Sequence, residues 1–322
     1  MLDAVTLAGG LVLLVTAGEA LVRGAADVAR QLGVPPLVIG LTIVAFGTSA
    51  PELAVNVTAA IRGNGAVAFG NIIGSNIANM GLILGCASIV RPITIQSIVI
   101  SREIPMMLLG TVATVVMGFD LLRDSGVSRF DRGDGLLLLL LFAVFLYYTI
   151  AETLRKRASD SFVQQAREQA RDRREGSLVA SWVLLFAGLV GLSFGGSLTV
   201  TGAVGIAEAF GVPRNLIGLS IVAIGTSLPE LTASVMAARR GESDLAVGNI
   251  VGSNIFNLLF VLGVTSTIRP VPVPFDGGYD LIAVISFSVA LWLLSLSRRE
   301  IGRIEGTILI AAYVGYGSWR FF

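Results

Sequence analysis

Histidine is absent from the 322 residues, and cysteine occurs once, at Cys86. The first absence removes Ser–His and Cys–His catalysis together with the commonest transition-metal ligand. The second removes any intrachain disulfide and any cysteine-based metal site. Lysine also occurs once, at Lys156, and charged residues make up 14% of the chain against about 25% in an ordinary soluble domain. With 54% hydrophobic residues and a mean hydropathy of +0.82, the chain reads as a polytopic membrane protein whose partner is the lipid bilayer. A net charge of +1, with no basic patch interleaved with exposed aromatics, gives no reason to invoke nucleic acid. The opening Met1-Leu2-Asp3 lacks a positive region and runs straight into apolar sequence, so it reads as a first helix and not as a cleaved signal.

A helix needs about 20 mostly apolar residues to cross the hydrocarbon core. Ten stretches qualify, near 4–22, 37–61, 66–88, 103–119, 135–152, 178–197, 214–238, 245–266, 280–297 and 304–321. The second and seventh are interrupted by Pro51 and Pro229. Basic residues stay cytoplasmic, and 16 of the 23 Lys and Arg fall in loops after odd-numbered spans, seven of them in the charged segment 153–177. Both termini are therefore expected outside the cytoplasmic membrane and the 153–177 loop inside.

Residues 40–85 recur at 218–263, offset by 178, with 27 of 46 positions identical. Gly47-Thr48-Ser49-x-Pro51-Glu52-Leu53 matches Gly225-Thr226-Ser227-x-Pro229-Glu230-Leu231. Gly70-Asn71-Ile72-x-Gly74-Ser75-Asn76-Ile77-x-Asn79 matches Gly248-Asn249-Ile250-x-Gly252-Ser253-Asn254-Ile255-x-Asn257. Five spans per half oblige the second copy to enter from the opposite side. The expected architecture is all-α, ten transmembrane helices in two inverted five-helix repeats: 1–152, then the loop 153–177, then 178–322. Inverted repeats with helices interrupted at matching places point to a secondary transporter with its site near the midplane.

Each repeat places a glutamate in a span, where an ionisable group costs roughly 2.5–3.5 kcal/mol on insertion scales. Pro51 has no N–H, so the Gly47 carbonyl loses its helical partner and the Thr48 carbonyl tends to splay outwards. Such carbonyls are tolerated when they face a cation, and Glu52 follows Thr48 by one turn, on the same face. Thr226 and Glu230 repeat the arrangement. Asn71, Ser75 and Asn79 form an i, i+4, i+8 polar stripe, as do Asn249, Ser253 and Asn257. Only oxygens are offered, which favours hard cations such as Ca²⁺ and Na⁺. Two carboxylates match one Ca²⁺ in charge, and with no ion between them they would repel, so the site either captures protons or binds cations.

Simpler readings stand beside these. Small residues and asparagines in membrane helices often serve packing alone, which weighs equally with site lining for Asn71, Asn76, Asn249 and Asn254. Glu19 lies four residues from Arg23 and reads as a solvated pair near the cytoplasmic end, and its repeat counterpart is Ser197. An intramembrane hydrolase with Ser49 or Ser227 as nucleophile would lack a general base, because there is no histidine and no lysine in any span.

With these motifs the chain resembles the sodium/calcium exchangers of the calcium/cation antiporter superfamily, over its whole ten-span length. The resemblance implies no cofactor, no obligate protein partner and no enzymatic activity, with Na⁺ and Ca²⁺ as transported substrates. It implies a rigid group of eight helices across which the first and sixth spans slide. By position, Glu52 and Glu230 correspond to carboxylates shared by both ions, and Thr48 and Thr226 to backbone-carbonyl ligands of Ca²⁺. Ala45, Ser75 and Ser227 correspond to the lining of one Na⁺ site and Ala223 and Ser253 to that of its mirror image, Asn79 and Asn257 face the centre, and Ser49 is expected among the same ion-site residues. Potassium-dependent relatives carry Asp where this chain has Asn257, which argues against K⁺ co-transport. Proton-coupled relatives place their glutamates in a different motif, so Na⁺ coupling is expected, with Ca²⁺/H⁺ antiport through the same glutamates as the alternative. The longest loop, about 25 residues, leaves no room for the calcium-sensing domains of animal exchangers.

Overall fold

A computed structural model describes residues 2–119, 128–158, 177–211 and 225–321. Its helices are α1 (Leu2–Leu32), α2 (Pro36–Thr48), α3 (Ala50–Arg62), α4 (Gly65–Val90), α5 (Val99–Gly118) and α6 (Arg132–Ala158) in the first half. The second half contributes α7 (Leu178–Ala209), α8 (Leu228–Arg240), α9 (Ser243–Ile268), α10 (Gly277–Arg298) and α11 (Arg303–Phe321). Seven of these are long and apolar enough to cross a membrane, and α2 with α3, bent by 45° at their junction, makes an eighth candidate. Of the other two expected spans, 304–321 is the helix α11, while 214–238 lies partly outside the described residues and is represented by α8. Most of the expected 153–177 loop and Ala223 also lie outside them.

Three boundaries differ from the expectation. α1 and α7 run to Leu32 and Ala209, well past 22 and 197, and α6 continues to Ala158, past 152. At 1.5 Å per residue, α1 is about 45 Å long, so it must tilt or protrude from a core about 30 Å thick. Polar residues such as Glu19 and Arg23 end a hydropathy run without ending a helix, because paired side chains leave the backbone ladder intact.

α1 and α7 form a closely packed antiparallel pair, and glycine makes the contact. Gly10, Ala17 and Gly24 recur every seven residues, as do Gly188, Gly195 and Gly202 at the equivalent positions. A Cβ at Gly24 would sit 2.4 Å from the Leu185 amide nitrogen, and one at Gly188 would sit 2.5 Å from that of Leu21. Without hydrophobic drive between helices in lipid, such backbone-to-backbone approach supplies the association. Both helices are mostly exposed along their length, whereas α4 and α9 are the most buried spans and form the centre of the molecule.

The chain is not purely helical. Two short antiparallel ribbons pair β1 (Ile93–Thr94) with β4 (Glu300–Ile301), and β2 (Arg129–Phe130) with β3 (Val271–Pro272). Two residues per strand leave no alternating pattern for sequence to show. Each ribbon joins one half of the chain to the other.

The helices that carry the glutamates are built alike. α3 and α8 each end in a left-handed glycine, Gly63 (φ 78°) and Gly241 (φ 79°), a conformation any Cβ would strain. The guanidinium of Arg269 packs over Gly63 and that of Arg91 over Gly241, each arginine coming from the opposite half. A cation there complements the negative end of the helix dipole.

Candidate functional site

The two broken helices meet at the centre. Helical geometry lapses at Ser49 (φ −86°, ψ 7°) and at Ser227 (φ −90°, ψ 6°), and α3 and α8 restart with Pro51 and Pro229 in their first turn. Proline is tolerated there because a first-turn N–H has no helical partner. The same turn holds Glu52 or Glu230, both buried. Further turns of altered geometry follow in the polar stripes, where α4 widens to π-helix over Asn79–Ile83 and α9 over Phe256–Val261. Such widened turns cluster at functional sites.

Contacts cross between the halves. Ser49 Oγ donates to Glu230 Oε1 at 2.8 Å. Thr48 Oγ1 donates to Asn249 Oδ1 at 3.1 Å, and Asn71 Nδ2 to Thr226 Oγ1 at 3.5 Å. Ser253 Oγ reaches the Ala45 carbonyl at 3.5 Å, and Asn79 Nδ2 donates to Asn254 Oδ1 at 3.2 Å. Of the expected site residues, Ala45, Thr48, Ser49, Glu52, Ser75, Asn79, Ser227, Glu230, Ser253 and Asn257 are all buried. Thr226 joins them through Asn71.

What sets this region apart is its unpartnered oxygen. Both carboxylate oxygens of Glu52, Oε2 of Glu230, and the amide oxygens of Asn56, Asn76, Asn79 and Asn257 are buried without a hydrogen bond. Orphaned buried polar atoms are rare because each forfeits solvation it does not recover. Seven oxygens in that condition, drawn from both halves, are of the kind that hard cations take as ligands. Among the described residues no group of three or more His, Cys, Asp or Glu is placed to hold a metal ion, so any cation bound here would draw on amide, hydroxyl or backbone oxygens beside the two glutamates.

Asn56 and Ser234 were not singled out by the sequence. Each lies one turn after a glutamate. Asn56 Nδ2 donates to the Glu52 carbonyl at 2.7 Å and to Asn71 Oδ1 at 2.8 Å. In the other half Asn249 Nδ2 donates to Ser234 Oγ at 2.9 Å and to the Glu230 carbonyl at 3.4 Å. The i+4 spacing from Glu52 was a visible signal for Asn56; at Ser234 the residue type differed and hid the equivalence. Glu19 does pair with Arg23, at 3.0 Å, and it also meets Arg240 at the end of α8, with Nε to Oε2 at 2.8 Å.

Antiparallel equivalent helices, matched breaks and a buried acidic pair between them define a polytopic membrane transporter. The sodium/calcium exchanger protein family model matches residues 2–151 and 180–322, and the chain belongs to that family of cation/Ca²⁺ antiporters. It is 41% identical over 311 residues to the putative antiporter CaxA of Alkalimonas amylolytica, covering 95% of each chain. It is 32% identical over 332 residues to the sodium/calcium exchanger MaX1 of Methanosarcina acetivorans, again with 95% of each covered. Among solved structures, the sodium-calcium exchanger NCX_Mj soaked with Na⁺ and Ca²⁺ superposes with a TM-score of 0.83 at 32% identity, over 98% of this chain and 97% of that one.

Proposed function

We propose that the protein exchanges Na⁺ for Ca²⁺ across the cytoplasmic membrane by alternating access, independently of K⁺, and electrogenically if more than two Na⁺ replace one Ca²⁺. The observation that carries this reading is the set of unpartnered oxygens around Glu52 and Glu230. Glu52 and Glu230 are the shared ligands, and the Thr48 and Thr226 carbonyls complete the Ca²⁺ shell. Ala45, Ser75 and Ser227 line one Na⁺ site; Ala223 and Ser253 line its mirror, Asn79 and Asn257 face the centre, and Ser49 belongs to the same set of ion-site residues. The relatives named as sodium/calcium exchangers support Na⁺ as the counter-ion. Asn257, neutral where an acid would add a third charge, supports K⁺ independence. Both termini lie outside and 153–177 inside in this reading.

The exposed α1–α7 pair is the element suited to move. Its glycine seam holds the two helices together while they slide over the core, exposing the ions to one side and then the other. The ions offset the charge of the glutamates, so loaded forms move and the bare acidic pair resists.

The test is radioactive Ca²⁺ uptake into proteoliposomes loaded with Na⁺ and diluted into Na⁺-free buffer at matched pH, beside vesicles carrying only a pH gradient. Uptake is expected to require internal Na⁺ and to strengthen with an inside-positive potential when the exchange is electrogenic in that sense of charge movement. Uptake driven by the pH gradient alone would replace this reading by cation/proton antiport on the same glutamates.

A further inference from the structure

Beside the ribbon of β2 and β3 lies a cavity of about 300 Å³ lined by two guanidinium groups, those of Arg129 and Arg269. Glycine lets the walls close in. A Cβ at Gly63 would sit 2.9 Å from Arg269 Nη1, and one at Gly65 would sit 2.4 Å from Pro272 Cδ. An adjoining hollow shares Pro270 with the cavity and adds Arg132 and Asp131. The Asp131 carboxylate is engaged in capping α6, since its Oδ1 accepts from the Gly133 amide at 2.7 Å and the Asp134 amide at 3.0 Å. Arg129, Arg132 and Arg269 are all exposed, and none of the three forms an ion pair with a described residue. Arg320, at the same end of the molecule, is by contrast held by Asp276 at 2.7 Å and by Asp280 at 2.9 Å.

The equivalent place at the other end carries a different charge. Arg129 pairs with Pro272 in one ribbon and Glu300 pairs with Thr94 in the other, and Thr94 is the repeat counterpart of Pro272. There Arg91 packs over Gly241 as Arg269 packs over Gly63, but the ribbon sets an acid where β2 has an arginine. The paired guanidinium groups therefore belong to one end alone.

That end also lies where apolar surface gives way to charge. Ile61, Val67 and Ile268 are exposed beside the cavity-lining segments, and the exposed Leu136 and Leu137 follow Arg132 on α6. Tyr279 and Trp319, exposed and in edge-to-face contact at 5.1 Å, add the aromatic pair typical of a membrane interface.

We infer that this cavity binds the phosphate of an anionic phospholipid headgroup, with the acyl chains against the exposed apolar residues beside it. Guanidinium forks match phosphate oxygens in geometry and charge. A headgroup with a cation of its own would meet the same arginines with repulsion. Free phosphate shares the headgroup's chemistry; the adjoining apolar surface favours the lipid. The site is separate from the central one, because Glu52 lies nearly three turns deeper in α3 than its last residue, Arg62.

The test is native mass spectrometry of the purified full-length protein, titrated with phosphatidylglycerol, with phosphatidylcholine, and with phosphatidylglycerol in the presence of inorganic phosphate. Phosphatidylglycerol should bind more tightly than phosphatidylcholine. Arg129→Gln and Arg269→Gln should each weaken that binding about fivefold, the usual contribution of one basic residue at an anionic surface. Arg129→Glu, which copies the other end, should weaken it further. Arg303→Gln, the same loss of charge where α11 opens at the opposite end, should leave it unchanged. Equal retention of the two lipids, unchanged binding in the Arg129 variants, or an equal loss in Arg303→Gln overturns the assignment. Displacement of the lipid by millimolar inorganic phosphate overturns it in favour of a free anion. Arg269 also packs on Gly63, so Arg129→Gln, whose ribbon pairing uses only backbone, keeps the test decisive should Arg269→Gln misfold.

Discussion

Glu52 and Glu230 occupy equivalent places in the two repeats, yet their surroundings are unequal. Glu230 holds a hydroxyl from Ser49 on one oxygen; both oxygens of Glu52 lack a partner. Beside Ala45–Thr48, Phe46 stacks on Phe256 at 4.7 Å, and Phe142 and Phe260 lie 5.0 Å apart in the same cluster. The residues equivalent to Phe256 and Phe260 in the first repeat are Ala78 and Leu82. At the end of α8, Glu19 binds Arg240, while the equivalent positions are Ser197 and Arg62, which form no ion pair with each other. Matched sequence builds a frame that is alike from both sides; the mismatched residues give its two halves unequal contacts. A transporter needs both, since a symmetric frame gives two accessible states and unequal contacts set how the protein divides between them.

The strongest way to break the comparison is to neutralise either glutamate. Glu52→Gln and Glu230→Gln are each expected to reduce Ca²⁺ uptake to background while the protein remains monodisperse in detergent. Wild-type flux in either variant would sink the shared-ligand role. The seam between α1 and α7 offers a symmetric control. Gly24→Ala and its counterpart Gly202→Ala each place a Cβ 2.4 Å from a backbone nitrogen, of Leu185 and Leu7 respectively. Each should lower stability by about 1–3 kcal/mol, the usual cost of overpacking. Gly9→Ala, inside α1 with nothing within 4 Å, should be neutral to stabilising by up to about 1 kcal/mol in the same thermal-unfolding measurement. Equal losses at the two seam positions would show the seam to be symmetric where the site is not. The smallest effect belongs to the one-sided ion pair. Its partners are about one-third exposed, so Glu19→Gln should shift turnover by less than about fivefold, as expected for a pair worth 0.2–1 kcal/mol, and the shift should shrink at high salt. A double-mutant cycle with Arg240→Gln tests the coupling; additive effects would remove it.

Much of this was legible in the chain before any coordinates. The recurrence of GTSxPE fixed where the helices break, because proline dictates the local backbone and glutamate marks the site wherever lipid surrounds it. The polar stripes were readable from their four-residue spacing. Span ends were not, since Glu19 and Arg23 lower hydropathy without interrupting α1. The ribbons are too short for alternation, and the π-turns at Asn79 and Phe256 leave no periodic signal in so few residues. Asn56 and Ser234 were missed for a different reason. Attention to identical positions finds what the repeats share and passes over the residue by which they differ.

The ribbon of Ile93–Thr94 with Glu300–Ile301 has a consequence for biosynthesis. A strand made in the first third of translation must wait for a partner that emerges just before the last helix. Neither half can complete this ribbon alone. Truncation before Glu300 would leave Ile93–Thr94, made about two hundred residues earlier, without its strand partner.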